Sequence, residues 1–259
     1  MIFVYRKTKS ALFKLALLAF LTLAGSWPAA AATTLLTPAT GGSAISADDF
    51  SSGTWTLLAG PVMTETGSGA IANTLGTIIL NLPADYEFRT GVPVSVLVSG
   101  SATATANIND IANNGTIPAS VTASNVTITI TAKSAAANVL TWQNLQVRAK
   151  SGTPLGSTNI TLGGTAVSKG LSAGANCGTL TKVAGAATQL AFGVQPGNRA
   201  AATLFTPAIT VQIRDQFGNL TTNASVVTIG IGNNPGGGAL SGTTNVNAVN
   251  GTASPCGRR

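Results

Sequence analysis

The sequence predicts an all-β protein of the sandwich class, and three observations support this. Apolar and polar residues alternate in short runs along most of the chain, β-branched residues dominate those runs, and turns containing Gly or Asn separate them. Alternation with a period of two is typical of half-buried strands, and many short strands with frequent turns favour sandwiches over other all-β architectures. We therefore expect two β-sandwich domains preceded by a cleaved signal peptide.

Four runs carry the alternation most clearly, at residues 92–98, 126–131, 209–214 and 227–231. In each run, Val or Ile occupies every second position, which gives a strand one apolar face for a core. Turn residues lie between the runs, and Asn250-Gly251 is a clear instance. No segment after the first 32 residues has a helical period, so we expect strands throughout.

The first 32 residues have the three parts of a secretory signal. Four basic residues within positions 1–14 precede an apolar stretch at residues 15–25, and alanines follow at residues 29–32. The apolar stretch is shorter than the roughly 20 residues that a membrane-spanning helix needs. We expect Sec-type bacterial export, cleavage near residue 31 or 32, no membrane span in the mature chain, and a secreted or cell-surface location.

The net charge of +7 does not indicate nucleic-acid binding. Four of the 14 basic residues lie in the signal and two more are Arg258 and Arg259, so the remaining basic residues nearly balance the seven acidic ones. Charged residues make up only 8% of the chain, against about a quarter in a typical protein. Solubility must therefore come from hydroxyl and amide groups.

The chain contains no histidine and seven carboxylates, so it has few groups for acid–base chemistry. A serine nucleophile needs a base that histidine usually supplies, and zinc sites need Cys and His at set spacings. We therefore expect no enzymatic activity, no cofactor and no metal site. The two cysteines, Cys177 and Cys256, form one disulfide at most, and their pairing stays open.

We place a domain boundary within residues 183–188, giving an N-terminal domain at 33–184 and a second at 187–259. The second contains TQLAF at residues 188–192, PAITVQIRDQFGN at 207–219 and NPGGGALSGT at 234–243. Together these resemble the bacterial immunoglobulin-like repeat of large adhesin-type surface proteins, related to invasin and intimin modules. The resemblance implies a spacer or adhesive sandwich in a tandem array, without catalytic residues.

The resemblance ends near Ala253, where the family pattern continues into further strands but this chain reads SPCGRR. We therefore expect an incomplete immunoglobulin-like sandwich and the N-terminal fragment of a longer multidomain protein. A natural short C-terminus is the alternative. A sandwich without its last strands exposes an unpaired edge.

Three pieces of the N-terminal domain, at residues 76–88, 144–150 and 178–182, look like a β-sandwich module from the start of bacterial surface proteins. The expected function is thus that of an exported, non-catalytic structural or adhesion protein. Its expected partners are a host, cell-surface or glycan ligand and neighbouring immunoglobulin-like repeats. The alternative is a secreted carbohydrate-binding module that uses exposed aromatic residues.

Trp55 and Tyr86 are the candidate ligand contacts, because aromatic rings stack on sugar rings. Trp142 shares its strand face with Leu140, so we expect it in the core. Asp85 and Glu87 are spaced to point to one side of an extended chain, but a glycosidase needs opposed carboxylates, and we interpret them as part of a strand end.

Three further segments have oxygen-rich side chains. Residues 107–115 hold four Asn and one Asp. Oxygen-rich loops can bind Ca²⁺, but good sites use several carboxylates and Asn commonly forms turns, so we interpret this segment as a loop. Asp48-Asp49 is a second oxygen-rich segment of this kind. The third segment, residues 215–219, is predicted to be a tight turn in which Asp215 accepts backbone N–H groups and Gly218 adopts a positive φ.

Overall fold

A computed structural model of the chain describes residues 31–71, 76–166 and 168–258. Strands make up nearly all of the regular structure in these ranges, which confirms the predicted all-β class. The predicted signal peptide lies almost wholly outside the described residues. Within them, no helix has the length and apolar character needed to cross a bilayer.

Fourteen described strands precede Ala184 and form three sheets, with the orders β1-β4-β11-β7-β8, β2-β14-β13-β5-β10-β9 and β3-β12-β6. Neighbouring strands run antiparallel except β2 and β14, which are parallel. A short helix at Asp49–Ser52 and 3-10 turns at Ala104–Ala106 and Ile108–Asp110 interrupt them. The strands are β1 Thr34–Thr37, β2 Ile45–Ser46, β3 Thr56–Leu58, β4 Val62–Glu65, β5 Gly76–Asn81, β6 Tyr86–Phe88, β7 Ser95–Ser99, β8 Gly115–Pro118, β9 Ser120–Val121, β10 Asn125–Ile130, β11 Val139–Gln143, β12 Leu145–Ala149, β13 Gly156–Gly163 and β14 Asn176–Val183.

These sheets enclose one hydrophobic cluster, here called the first core, which extends in sequence from Ile45 to Leu180. The predicted alternation builds it directly: Val126, Ile128 and Ile130 of β10 are all buried, while the residues between them face outward. Trp142 is 1% exposed, as expected for a core residue. Burying such large side chains is the main favourable term in the free energy of folding.

Seven described strands follow and surround a separate, smaller cluster, the second core. It contains Ile209, Val211, Ile213, Val227, Ala248 and Ala253. Their sheets have the orders β15-β16-β20, β17-β19 and β18-β21. The strands are β15 Gln189–Val194, β16 Thr210–Arg214, β17 Val226–Thr228, β18 Ser241–Thr243, β19 Asn245–Asn247, β20 Thr252–Ala253 and β21 Cys256–Arg258.

The predicted domain boundary at residues 183–188 falls between the end of β14 and the start of β15. From Ala32 onward, however, the chain forms one compact unit. The two hydrophobic clusters lie on either side of the boundary in sequence. The division into two domains stays a prediction.

Strand β17 is shorter than its sequence pattern predicts. The alternation extends from Val227 to Ile231, but the strand ends at Thr228 and Ile231 is 37% exposed. The last bond toward the neighbouring strand is donated by the N–H of Ile229 to Thr244 O at 3.0 Å. Gly230 and Gly232 follow, and glycine weakens a strand because its backbone loses more entropy on ordering.

The Asn250-Gly251 turn joins β19 to β20. Asn250 has φ 48° and Gly251 φ 75°, and Val249 and Thr252 exchange backbone bonds of 2.9 and 3.1 Å across the turn. Positive φ at both central residues is the type I′ arrangement that matches the twist of a two-residue hairpin. A Cβ on Gly251 would lie 2.0 Å from the carbonyl oxygen of Thr221, so both conformation and space require glycine.

Replacing Gly251 with Ala is expected to lower the free energy of unfolding by about 2–3 kcal/mol, because the methyl group meets a backbone oxygen at a strained φ. Urea denaturation checks this through the shift in midpoint. Gly236→Ala is the matched control, since a Cβ there meets no atom within 4 Å. Equal midpoints for the two variants would contradict the role given to Gly251.

Candidate functional site

The turn at residues 215–219 is held by the carboxylate of Asp215. Its Oδ1 accepts the N–H groups of Phe217 at 2.9 Å and Asn219 at 2.8 Å, and Gly218 has φ 84°. Both features were predicted from the sequence, and both are confirmed. The turn follows β16 directly, so its position is fixed by a strand of the second core.

The other oxygen of Asp215 extends the interactions beyond the turn. Oδ2 accepts the side-chain amide of Asn219 at 2.8 Å and the backbone N–H of Gly185 at 2.9 Å. The carboxylate is fully buried. Burial alone raises its pKa, but the hydrogen bonds from Asn219, Gly185 and Phe217 outweigh burial and lower the pKa below the usual value for Asp.

Gln216 connects the turn by hydrogen bonds to Asp48 and Ser51 in the N-terminal part of the chain. Its Nε2 donates to Asp48 Oδ1 at 2.8 Å and to Ser51 Oγ at 3.0 Å, and Asp48 also accepts the N–H of Ala186. A Cβ on Gly185 would lie 2.2 Å from the carboxylate of Asp48. A side chain at position 185 would therefore displace the Asp48 carboxylate from its present position.

Phe217 and Asn219 bind a third segment. A Cβ on Gly152 would lie 1.9 Å from the ring of Phe217, so the ring packs directly against that glycine. Asn219 Nδ2 donates to Gly152 O at 2.8 Å. We call the turn, together with Asp48, Gly152 and Gly185, the polar joint. The sequence predicted the turn but not these partners, which lie 30 to 168 positions away.

Trp55 lies beside the sheet β3-β12-β6 with its ring against two arginines. The guanidinium carbon of Arg148 is 4.2 Å from the ring centroid and that of Arg89 is 5.8 Å away. Arg148 Nε donates to Glu87 Oε1 at 2.6 Å, which fixes the stacked guanidinium. Trp55 remains partly exposed, but a cation–π contact occupies part of its ring surface.

Tyr86 is not a surface residue. It is 3% exposed and packs in the first core, with Lys182 Nζ 5.6 Å from its ring centroid. Burial raises the pKa of Tyr86 to about 12, and the negative charge of Asp85 adds to the effect. The prediction of Tyr86 as an exposed ligand contact is wrong, because Tyr86 and Phe88 form the inward face of β6.

Asp85 and Glu87 interact with different groups. Glu87 pairs with Arg148, whereas Asp85 raises the pKa of Tyr86 by its charge and opposes the lowering of the Lys182 pKa that burial causes. The backbone carbonyl of Asp85 accepts the N–H of Lys150 at 2.8 Å. Glu87 thus links β6 to Arg148 of β12, and the backbone of Asp85 links the residue before β6 to Lys150.

The Asn-rich loop uses its side chains to satisfy the backbone. Asn107 is fully buried; its Oδ1 accepts from Ser101 N and Asn138 Nδ2, and its Nδ2 donates to two carbonyls. Asn109 binds Thr131 N–H and Thr129 O in the same manner. Such amides replace strand partners for irregular backbone. This arrangement agrees with the interpretation of the segment as a loop.

Asp49 and Cys177 are two further groups that are buried. Asp49 is 5% exposed, and burial followed by the charge of Asp48 raises its pKa. Cys177 is a free, buried cysteine whose pKa burial raises to about 12, which suppresses the reactive thiolate. Across the described ranges, no three His, Cys, Asp or Glu residues cluster in a way that would hold a metal ion.

Comparison with known proteins adds no family assignment. No protein-family model matches the chain, and no curated protein matches it in sequence. The resemblance of residues 188–253 to bacterial immunoglobulin-like repeats therefore remains a prediction from the motifs themselves.

Asp215→Asn is expected to lower the free energy of unfolding by about 2 kcal/mol at neutral pH, because an amide nitrogen then faces buried N–H donors. A carboxylate with a lowered folded-state pKa stabilises the fold fully above its unfolded pKa of about 3.9. That contribution is lost as the pH falls through the folded-state pKa. The difference between wild type and variant should therefore shrink below about pH 4.

Urea denaturation from pH 7 to pH 2.5 measures this dependence. Asp110→Asn is the control, because Asp110 is exposed and accepts no side-chain hydrogen bond among the described residues. A stability difference for Asp215→Asn that stayed constant across this pH range would contradict the assignment.

Proposed function

We propose that this chain is an exported, non-catalytic structural or adhesive protein of the cell surface or the secreted fraction. The polar joint is the observation that carries the proposal. A spacer or adhesin must hold successive modules in a fixed relation so that a binding surface is presented away from its anchorage. Interactions of Asp215, Gln216 and Phe217 with three distant segments supply such a fixed relation.

The use of carboxylates supports the same proposal. Glu65 is 3% exposed and accepts the N–H groups of Ile71 at 2.8 Å and Asn138 at 3.0 Å, together with the hydroxyl of Ser134. Asp215 is fully engaged in the joint, and Glu87 is paired with Arg148. Acid–base catalysis needs a carboxylate that can exchange protons with a substrate, whereas these three are committed to the fold.

Carbohydrate binding remains the second candidate, and it depends on Trp55 alone now that Tyr86 is buried. In its favour, Trp55 is partly exposed and Arg89, which is exposed, lies beside it. Aromatic rings bordered by guanidinium groups provide stacking and hydrogen-bond donation to a sugar. Against it, Arg148 already covers ring surface at 4.2 Å.

Export is tested by expressing the chain from Met1 in a bacterium and fractionating the cells. We expect the mature protein outside the inner membrane, with an N-terminus near residue 32 by N-terminal sequencing. Deleting residues 15–25 should retain the protein in the cytoplasm. Cytoplasmic location of the complete chain would contradict the proposal.

Adhesion to cells or glycan-coated beads separates the two candidates. Under the structural or adhesive proposal, Trp55→Ala leaves binding within about twofold of wild type. Under carbohydrate binding it weakens glycan binding at least tenfold, because the ring on which the sugar stacks is removed; the analogous stacking of a nucleic-acid base on one aromatic ring contributes on the order of 1–3 kcal/mol. Leu57→Ala is the matched control, because Leu57 is an exposed side chain of the neighbouring strand.

A further inference from the structure

A cavity of about 620 Å³ lies between the end of β14 and the residues that join the Asp215 turn to β17. Residues 182–187 and 220–223 form its walls, together with Leu155 just before β13. We call it the Lys182 cavity. Gly185 of this wall donates its N–H to Asp215, so the polar joint holds the wall in place. The volume is within the range of about 300–1,000 Å³ that is usual for small-molecule sites.

Lys182 is the charged residue of this cavity. Of the described residues that line the cavity, it alone carries a charge. Lys182 is only 3% exposed, because it points inward from β14. Burying an ammonium group is costly unless an opposite charge and hydrogen-bond acceptors surround it.

The protein provides few acceptors for this ammonium group. Lys182 Nζ donates to Ser151 Oγ over a long 3.4 Å, whereas an ammonium has three N–H donors. The salt bridge of the described residues joins Arg148 to Glu87, so Lys182 has no ion-pair partner among them. Burial lowers the pKa of Lys182, and the charge of Asp85 opposes this effect without cancelling it.

A second unfilled donor lies beside Lys182. The hydroxyl of Tyr86 is buried and has no hydrogen-bond partner among the described residues, and Lys182 Nζ is 5.6 Å from the centroid of its ring. Buried polar groups of native proteins are nearly always hydrogen-bonded. Two neighbouring donors that the protein leaves unfilled favour a ligand that supplies an acceptor, and the uncompensated charge favours an anionic one.

The rest of the cavity favours an apolar body on that anion. Leu155 is 38% exposed and Leu220 43% exposed, and both line the cavity with Val183 and several alanines. Thr222 and Asn223 add neutral polar groups. A single lysine without a second cation suits one negative charge, so a carboxylate fits better than a phosphate group.

We infer that the Lys182 cavity binds a small organic acid, whose carboxylate pairs with Lys182 and whose apolar body lies against Leu155 and Leu220. A cationic ligand is excluded by repulsion from Lys182, and a neutral apolar ligand leaves the ammonium without an acceptor. The inference goes beyond the proposed structural or adhesive role and does not depend on it.

Isothermal titration calorimetry of the purified protein at pH 7 tests the inference with hexanoate as the probe. We expect saturable binding of one hexanoate per chain. The neutral analogue 1-hexanol should bind at least about tenfold more weakly, because it cannot form the charged hydrogen bond. Acetate should also bind more weakly, because it lacks the apolar chain. Export and adhesion do not enter this assay, so failure of either proposal is recognised separately.

Three protein variants locate the binding. Lys182→Met should weaken hexanoate binding at least about tenfold and should still fold, since it replaces a buried charge with an apolar side chain of similar length. Lys150→Met is the matched control, because Lys150 is exposed and does not line the cavity. Ala187→Trp leaves Lys182 in place but fills part of the cavity from an exposed position of its wall, so it should weaken binding as well. Circular dichroism verifies the fold of each variant.

Any one of three results would overturn the inference. The first is the absence of hexanoate binding by folded protein. The second is wild-type affinity of the folded Lys182→Met variant. The third is binding of acetate or chloride as tight as that of hexanoate, because the apolar walls would then contribute nothing and the site would hold a simple anion only.

Discussion

The carboxylate of Asp215 is the interaction on which the relation between the two hydrophobic cores depends. It closes the turn through Phe217 and Asn219 and reaches Gly185 in the strandless stretch after β14. A buried charge is costly unless its hydrogen-bonding capacity is filled. Here four N–H donors fill it, so removing any one of these groups affects the turn and the joint together. This coupling explains why one short motif determines both local and long-range structure.

The same solution recurs in the N-terminal part of the chain, where backbone groups without strand partners bind side-chain oxygens. Asn138 Oδ1 accepts the N–H of Ile108 at 2.6 Å, and Asn107 and Asn138 are bonded to each other at 3.0 Å. Glu65 satisfies two further N–H groups. Buried polar groups require such partners, and amides supply them without the cost of burying charge. The Asn, Ser and Thr side chains of this chain thus satisfy buried backbone groups, in addition to providing polar surface.

The strands were predictable wherever one face of the strand is buried, because a period of two reports burial directly. Ile209, Val211 and Ile213 illustrate this, all being buried as their spacing predicts. The pattern failed at Ile231, since alternation cannot indicate where a neighbouring strand ends. At the candidate site, the turn at Asp215 was predictable because its partners are local. The joint was not, because Asp48 and Gly152 are brought to the turn only by the tertiary fold. Tyr86 was named as a ligand contact for its aromatic ring alone, but it lies with Phe88 on the inward face of β6 and is buried.

The described residues contain a single salt bridge, between Arg148 and Glu87. Dissolved salt weakens attractions between exposed ions beyond a Debye length of about 8 Å at physiological ionic strength. Hydrogen bonds between neutral amides, hydroxyls and backbone groups have no comparable sensitivity. A fold held mainly by such bonds is expected to keep most of its stability when it passes from dilute to saline surroundings.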